Sequence, residues 1–216
     1  MGDALRYSTS MSLDGYVAGP DQSTAHPLGV GGERLHEWMR VLAVWRRHAG
    51  LEGGVVNAST AVFEQGDDDV GATIMGRKMF GGGPGPWGED PWRGWWGDDP
   101  PFHMPVFVLT HHPRPPLRCE GGTTFTFVTD GPQTALDLAR EAAGGRSVAV
   151  SGGAGVAKQY LAAGLVSEIM IHLVATFLGA GVRLFDDPGL AGVSLEQVRV
   201  VEAPGVTHIT YRLRDM

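Results

Sequence analysis

The stretch "VAVSGGAGVAKQYLAAG", Val148–Gly164, constrains the fold more than any other part of this chain. It reads as a short apolar strand, a glycine-rich turn, and a helix beginning near Gly155. Just before it, "PQTALDLAREAAGG" has a proline near its start and glycines past its end, the usual asymmetry of a helix. A helix, a strand, a tight turn and another helix in succession belong to an α/β architecture built on a parallel sheet. Glycines at a helix start also let a backbone come close to a phosphate, because the outward-pointing amides are not screened by side chains. A plain strand-to-helix connection explains the same residues, and the stretch alone leaves both readings open. Two familiar nucleotide motifs do not fit. Gly153-Ala154-Gly155 is followed by Val156, Ala157 and Lys158 rather than by the spacing of a dinucleotide fingerprint, and no Gly-Lys-Ser/Thr run is present.

The rest of the chain has the same alternation. "LRYSTSMSLDGYVAG" reads as a first strand with an exit turn at Asp14-Gly15, and "DQSTAHPLGVGG" as a loop. "GERLHEWMRVLAVWRRH" places Leu35, Trp38, Met39, Leu42 and Trp45 at three- and four-residue spacing, which predicts one amphipathic helix. Asn57 stands where it can cap a helix "ASTAVFEQ" that runs on towards Asp69. A buried strand Ala72–Met75 closes in Gly76-Arg77-Lys78. "PVFVLTHHP" and "TTFTFVTDG" read as further strands, and "SEIMIHLVATFLGAGVRLF" and "LEQVRVVEAPGVTHITYRLR" supply the last ones, ending in a hairpin. The expectation is a single domain over residues 1–216, with a Gly/Pro/Trp-rich loop inserted at about 81–104. That loop holds four of the six tryptophans, which need somewhere to bury, so an ordered flap is expected.

Composition narrows the function. A net charge of −7 argues against a broad nucleic-acid or anionic-membrane surface. The single cysteine, Cys119, excludes an internal disulfide, and a reducing, cytoplasmic setting is the expectation. The apolar runs are strand-sized, so no membrane span is expected, and "MGDALRYSTS" lacks the core of a signal peptide. His111 and His112 are adjacent, but neighbouring side chains diverge on a strand and no Cys, His or Asp cluster lies near. No metal is expected.

"ATIMGRKMF", "PVFVLTHHP" and "VSGGAGVAKQYLAAGLVSEIMIHLV" follow one another in the order and spacing of dihydrofolate reductase-like proteins. The chain resembles most the reductase domain of bacterial riboflavin biosynthesis and the reductase-like proteins around it. "SMSLDGYVAG" is similar to the Ser-Leu-Asp-Gly turn of those relatives, and "FLGAGVRLFDD" to their penultimate region. The resemblance implies a three-layer α/β fold, with a mostly parallel central sheet, antiparallel C-terminal strands and helices on both faces. It also implies NADPH as cofactor. Gly76, Arg77 and Lys78 would meet its phosphates, Leu109, Thr110 and His111 its adenosine end, and Ser151, Gly152, Gly153, Ala154, Gly155 and Val156 its pyrophosphate. Cations and free amides are what such phosphates require. Three positions depart from the pattern: Ala154 where a third glycine is common, with less freedom at positive φ, and Ser151 and Ala157.

The activity so implied is NADPH-dependent hydride transfer to a C=N or C=O bond of a small, heterocyclic molecule. The alternative is a ligand-binding protein of the same fold without catalysis. The acid that dihydrofolate reductases carry on their first helix is missing: Arg34 takes its place and Glu33 stands one residue early. Asp14, Glu33 and His172 are the catalytic candidates, and Arg34, His36 and Trp38 the substrate-binding ones. His172 interrupts the apolar "IMIHLV", where a histidine is either a hydrogen-bonded core residue or a proton donor facing the substrate. The expected pocket lies among the first helix, Asp14-Gly15, His172 and the tryptophan loop. The resemblance further implies a homodimer through the C-terminal strands.

Overall fold

The computed structural model describes residues 4–66, 69–89 and 91–214. In chain order its elements are β1 (Leu5–Ser12), β2 (Tyr16–Ala18), α1 (Glu37–Arg40), α2 (Ala43–His48), α3 (Ala58–Gln65), β3 (Val70–Gly76) and α4 (Arg77–Phe80). There follow β4 (Pro105–Leu109), β5 (Leu117–Arg118), β6 (Thr124–Val128), α5 (Pro132–Ala143), β7 (Ser147–Ser151) and α6 (Ala154–Ala162). The chain closes with β8 (Glu168–Val174), β9 (Val182–Arg183), β10 (Leu195–Ala203) and β11 (Val206–Leu213). The architecture is mixed α/β, a large and mostly parallel sheet extended by antiparallel strands. The chain divides into two compact units, each drawn from two separate stretches. No composition shift marks the division, because each stretch continues from a stretch of the other unit.

The first unit comprises Met1–Tyr7 and Asp69–Val166. Its strands lie in the order β1, β7, β3, β4, β6, β5, parallel except for the short edge strand β5. β3 is buried from Val70 to Met75, as a central parallel strand covered on both faces must be. α5 begins at Pro132, ends at left-handed Gly144, and buries Ala135, Leu136, Ala139 and Ala143.

The tryptophan loop closes on this unit. Trp87 meets Phe80 and Phe127 edge-on at 5.8 and 5.1 Å, and Trp96 stacks on Phe125. The indole N–H of Trp87 donates to the His112 carbonyl and that of Trp92 to the Phe80 carbonyl, each at 2.8 Å. Trp92 and Trp95 pair with each other and keep over a third of their surface exposed. The described residues of the loop are therefore fastened to this unit by their aromatic side chains. Trp87 and Trp96, both half-buried, pack on Phe80, Phe125 and Phe127 and extend the aromatic core of the first unit.

The second unit comprises Ser8–Asp68 and Ser167–Met216, with strands in the order β10, β11, β8, β1 and a two-stranded ribbon of β2 and β9. The amphipathic stretch 32–48 is not one helix. It forms a 3-10 turn over Gly32–His36, then α1 and α2, with Leu42 extended between them. The returning "LEGGVV" segment causes the break: Ala43 N donates to the Val55 carbonyl, and Val55 N to that of Val41. Leu35, Trp38, Leu42 and Val44 are nevertheless buried together with Val174 and Val206. Apolar spacing reported burial there but not continuity. Asn57 does cap α3, in a reciprocal box with Thr60. That helix closes at Gln65; the expected continuation through Asp67 and Asp68 lies outside the described residues.

Candidate active site

The nominated cofactor residues meet at the C-terminal ends of three neighbouring strands of the first unit. Met75 on β3 is the register partner of Ser151 on β7, and Gly76 that of Leu109 on β4. Ligands of open parallel sheets bind at such strand ends. α4 starts directly from Gly76 and α6 from Gly153, and neither cap residue closes its helix with a side-chain hydrogen bond. A β-carbon on Gly76 would stand 2.7 Å from Val156 Cγ2, which brings the two turns into contact. Gly152 adopts φ +85, the left-handed region that favours glycine. Gly153 and Gly155 would extend a side chain into open space. Ala154 is buried as the first residue of α6, so the expected strain at positive φ does not arise: the turn needs that conformation at Gly152 only. The backbone here suits a phosphate-bearing ligand.

Arg77 is less free than its sequence context implies. Its guanidinium donates to the carbonyls of Gly81 and Gly82 at 3.1 and 3.3 Å, approaches Thr110 Oγ1 at 3.5 Å, and lies 3.1 Å over the Trp87 ring. Arg114 covers the same ring at 4.6 Å. Partial burial, then the Arg114 charge, bring the Arg77 pKa below its ordinary value. Among the described residues no ion pair neutralises either arginine. Lys78 and His111 are exposed.

In the second unit, Asp14 is committed to a turn. Its carboxylate accepts from Leu178 N at 3.1 Å and Gly179 N at 2.7 Å. The Ser12 hydroxyl, followed by these amides, brings its pKa to about 2. It is an anion at neutral pH, with no proton to give. His172 is also bonded on both nitrogens, to Ser8 Oγ through Nε2 at 2.9 Å and to His208 Nδ1 through Nδ1 at 2.7 Å. His208 in turn meets Ser59 Oγ at 2.8 Å. Burial first, then the charges of His208 and His36, hold His172 down at about 3; burial and Arg199 hold His208 at about 4. Trp38 packs at 4.8 Å from both imidazoles and donates to Ser10 Oγ. A cavity of about 320 Å³ is lined by Arg34, Glu37, Trp38, Val174, Thr176 and Gly205. Arg34 donates to the Phe177 carbonyl, and burial followed by the Arg40 charge lowers the pKa of His36.

Residues 4–209 match the family described as the RibD C-terminal domain. The chain belongs to that family. Three solved structures show the same fold. A protein from Shewanella sp. PV-4 whose name places it in riboflavin biosynthesis is 20% identical with a TM-score of 0.61, over 98% of this chain and 99% of that one. Dihydrofolate reductase from Enterococcus faecalis, complexed with NADP(H) and RAB-propyl, is 13% identical with a TM-score of 0.56, over 100% and 99%. The riboflavin biosynthesis reductase of Saccharomyces cerevisiae is 16% identical with a TM-score of 0.54, over 99% and 90%. Comparison with curated protein sequences finds no match.

In this RibD C-terminal domain the expected cofactor set is contiguous: Gly76–Lys78, Leu109–His111 and Ser151–Val156 sit on adjacent strand ends. The expected catalytic and substrate residues all lie in the second unit, and they separate into groups. Arg34 and Trp38 share the cavity, His172 touches Trp38, His36 lies near enough to influence His172, and Asp14 stays with its turn. Glu33 lies close enough to oppose, without reversing, the lowering of the His36 pKa by burial and Arg40. Among the described residues no group of three or more His, Cys, Asp or Glu side chains is placed to hold a metal. No described helix is long and apolar enough to cross a membrane. Sequence reasoning missed Ser8, Ser59 and His208. The available signal was strand register: "IMIHLV" and "VTHITY" pair antiparallel with His172 opposite His208.

Proposed function

We propose that this chain is an NADPH-dependent reductase that reduces a C=N or C=O bond of a small, heterocyclic molecule. The observation that carries the reading is the glycine turn at Ser151–Val156, joined to Gly76 and to the end of β4, with backbone open toward a ligand. Membership of a family whose relatives are named as reductases supports it, as does the dihydrofolate reductase of the same fold that holds NADP(H). When bound, NADPH supplies hydride. The amides of Gly153–Gly155 and the start of α4 would hold its pyrophosphate, and Lys78 and His111 would remain free to meet its outer phosphate. Arg77 would act mainly by shaping this wall, since its fork already binds Gly81 and Gly82. The substrate would use the cavity beside Trp38, whose indole offers a flat apolar surface and whose rim carries the Arg34 cation.

Titration with NADPH tests the reading. Binding should weaken as salt rises, and NADH, which lacks the 2′-phosphate, should bind more weakly. NADPH oxidation should then follow on addition of one or more members of a panel of heterocyclic carbonyls and imines. Absence of NADPH binding would overturn the cofactor assignment. Tight binding without turnover on any panel member would favour a ligand-binding protein of the same fold.

A further inference from the structure

The wall beyond the end of β3 carries more positive charge than its neighbours neutralise. Arg77 and Arg114 both lie over Trp87, at 3.1 and 4.6 Å from the ring centre, and Arg114 also covers Phe127 at 4.6 Å. Arg114 feels a third cation: partial burial, then the Arg93 charge, bring its pKa below the ordinary value. Among the described residues the one ion pair of these three arginines is Arg93 with Asp98, exposed and 3.8 Å long. Half-buried cations held together without an anion are costly, and a bound anion removes that cost.

The two stacked arginines differ in what they have left to give. Arg77 spends Nε on the Gly81 carbonyl, Nη2 on that of Gly82, and turns Nη1 to Thr110 Oγ1. Arg114 spends Nη1 alone, on the Trp92 carbonyl at 2.7 Å; its Nε and Nη2 have no partner among the described residues. Those two nitrogens share one edge of the guanidinium, the edge that meets a phosphate with two parallel bonds. Arg114 follows Thr110 by four residues, and the Trp87 indole beneath it donates to the His112 carbonyl of the same segment. The charge therefore sits beside the end of β4. β7, β3 and β4 are successive strands of the sheet, which puts that end about 10 Å from the glycine turn. This is within reach of the sugar of a nucleotide whose pyrophosphate lies on the turn.

We propose that Arg114 holds the 2′-phosphate on the adenosine side of NADPH and so sets the preference for NADPH over NADH. The proposal rests on the cofactor assignment made above. Trp87 and Phe127 are the positioning residues, because their rings fix the plane of the guanidinium. Lys78 and His111 are exposed, so solvent and salt screen them; Arg114 is half-buried, where a charge-assisted bond keeps more of its strength.

Adenosine 2′,5′-bisphosphate and 5′-AMP differ only in that phosphate, and both report binding without any hydride transfer. In calorimetric titrations the wild type should bind the bisphosphate more tightly by about 10-fold or more. Arg114→Met keeps an unbranched stem against Trp87 and Phe127. It should weaken bisphosphate binding by about 10–100-fold, with 5′-AMP affinity and melting temperature unchanged. Arg114→Lys keeps the charge without the fork and should recover only part of the preference. Full preference in either variant, or equal loss of both nucleotides in Arg114→Met, would overturn the role of Arg114 while the wild type still binds NADPH. A wild type that binds neither NADPH nor the bisphosphate would overturn the cofactor assignment itself, and Arg114 with it.

Discussion

A β-carbon at Gly152 would run into the Met79 side chain at a backbone φ of +85, whereas one at Gly153 would find open space at φ −51. The two neighbours therefore separate folding from binding. Gly152→Ala should destabilise the protein by about 1–3 kcal/mol, the usual cost of a non-glycine residue forced into a sparse conformation. Gly153→Val should leave the melting temperature unchanged and abolish NADPH binding; normal binding by that variant would make the turn a plain connector. Arg77→Lys keeps the charge but loses the planar fork and its stacking on Trp87, so it should behave like Arg77→Ala in a thermal melt. The histidine pair sets a pH dependence. His172 and His208 fall from 6.5 to about 3 and about 4 on folding, so the unfolded chain binds protons that the folded one refuses. Their contribution is therefore fully present above pH 6.5 and is lost as pH falls through the two folded values. Asp14, lowered from 3.8 to about 2, adds a further loss only below its ordinary value. The melting temperature should fall between about pH 7 and about pH 5, and His172→Phe with His208→Leu should flatten that slope whatever its absolute stability.

Among the described strands, β10 and the two-residue β5 form the two edges of the large sheet, and β10 is by far the longer. It pairs with β11 alone and exposes Leu195, Val198 and Val200, whose surfaces are 44%, 38% and 49% accessible. An apolar edge strand invites pairing with another chain, and a homodimer through β10 is the expected outcome. Light scattering at micromolar concentration should report twice the 23.0 kDa chain mass. Val200→Lys, which charges the edge without entering a core, should restore the single chain. Elements differ in how legible they were. β3, β4, β6 and α5 follow directly from apolar runs and from Pro132 and Gly144, because their determinants are local. The break at Leu42 was hidden, because it is made by two backbone bonds to a segment more than a helix turn away. The same reason hid the Ser8–His172–His208–Ser59 chain: His172 alone is ambiguous, and only the pairing of β8 with β11 supplies its partner.

At the scale of the whole molecule, the glycine turn and the three strand ends beside it could be placed from sequence, since each motif sits on its own strand and a parallel order aligns their ends. The burial of the tryptophans within the first unit could not, because aromatic residues in a loop signal burial without naming the surface that receives them. β1 has a further consequence. Leu5–Tyr7 belong to one unit and Ser8 onward to the other, and Leu5 finds its partner only at Val148. On the ribosome, the first strand made must wait for the last strand of its unit, while the second unit stays incomplete until β11 has emerged. Neither unit is encoded by one continuous piece of gene, so cutting between residues 68 and 69 yields two fragments that each lack part of a sheet. Non-local pairing of this kind slows folding, and it makes the early chain dependent on protection from aggregation during synthesis.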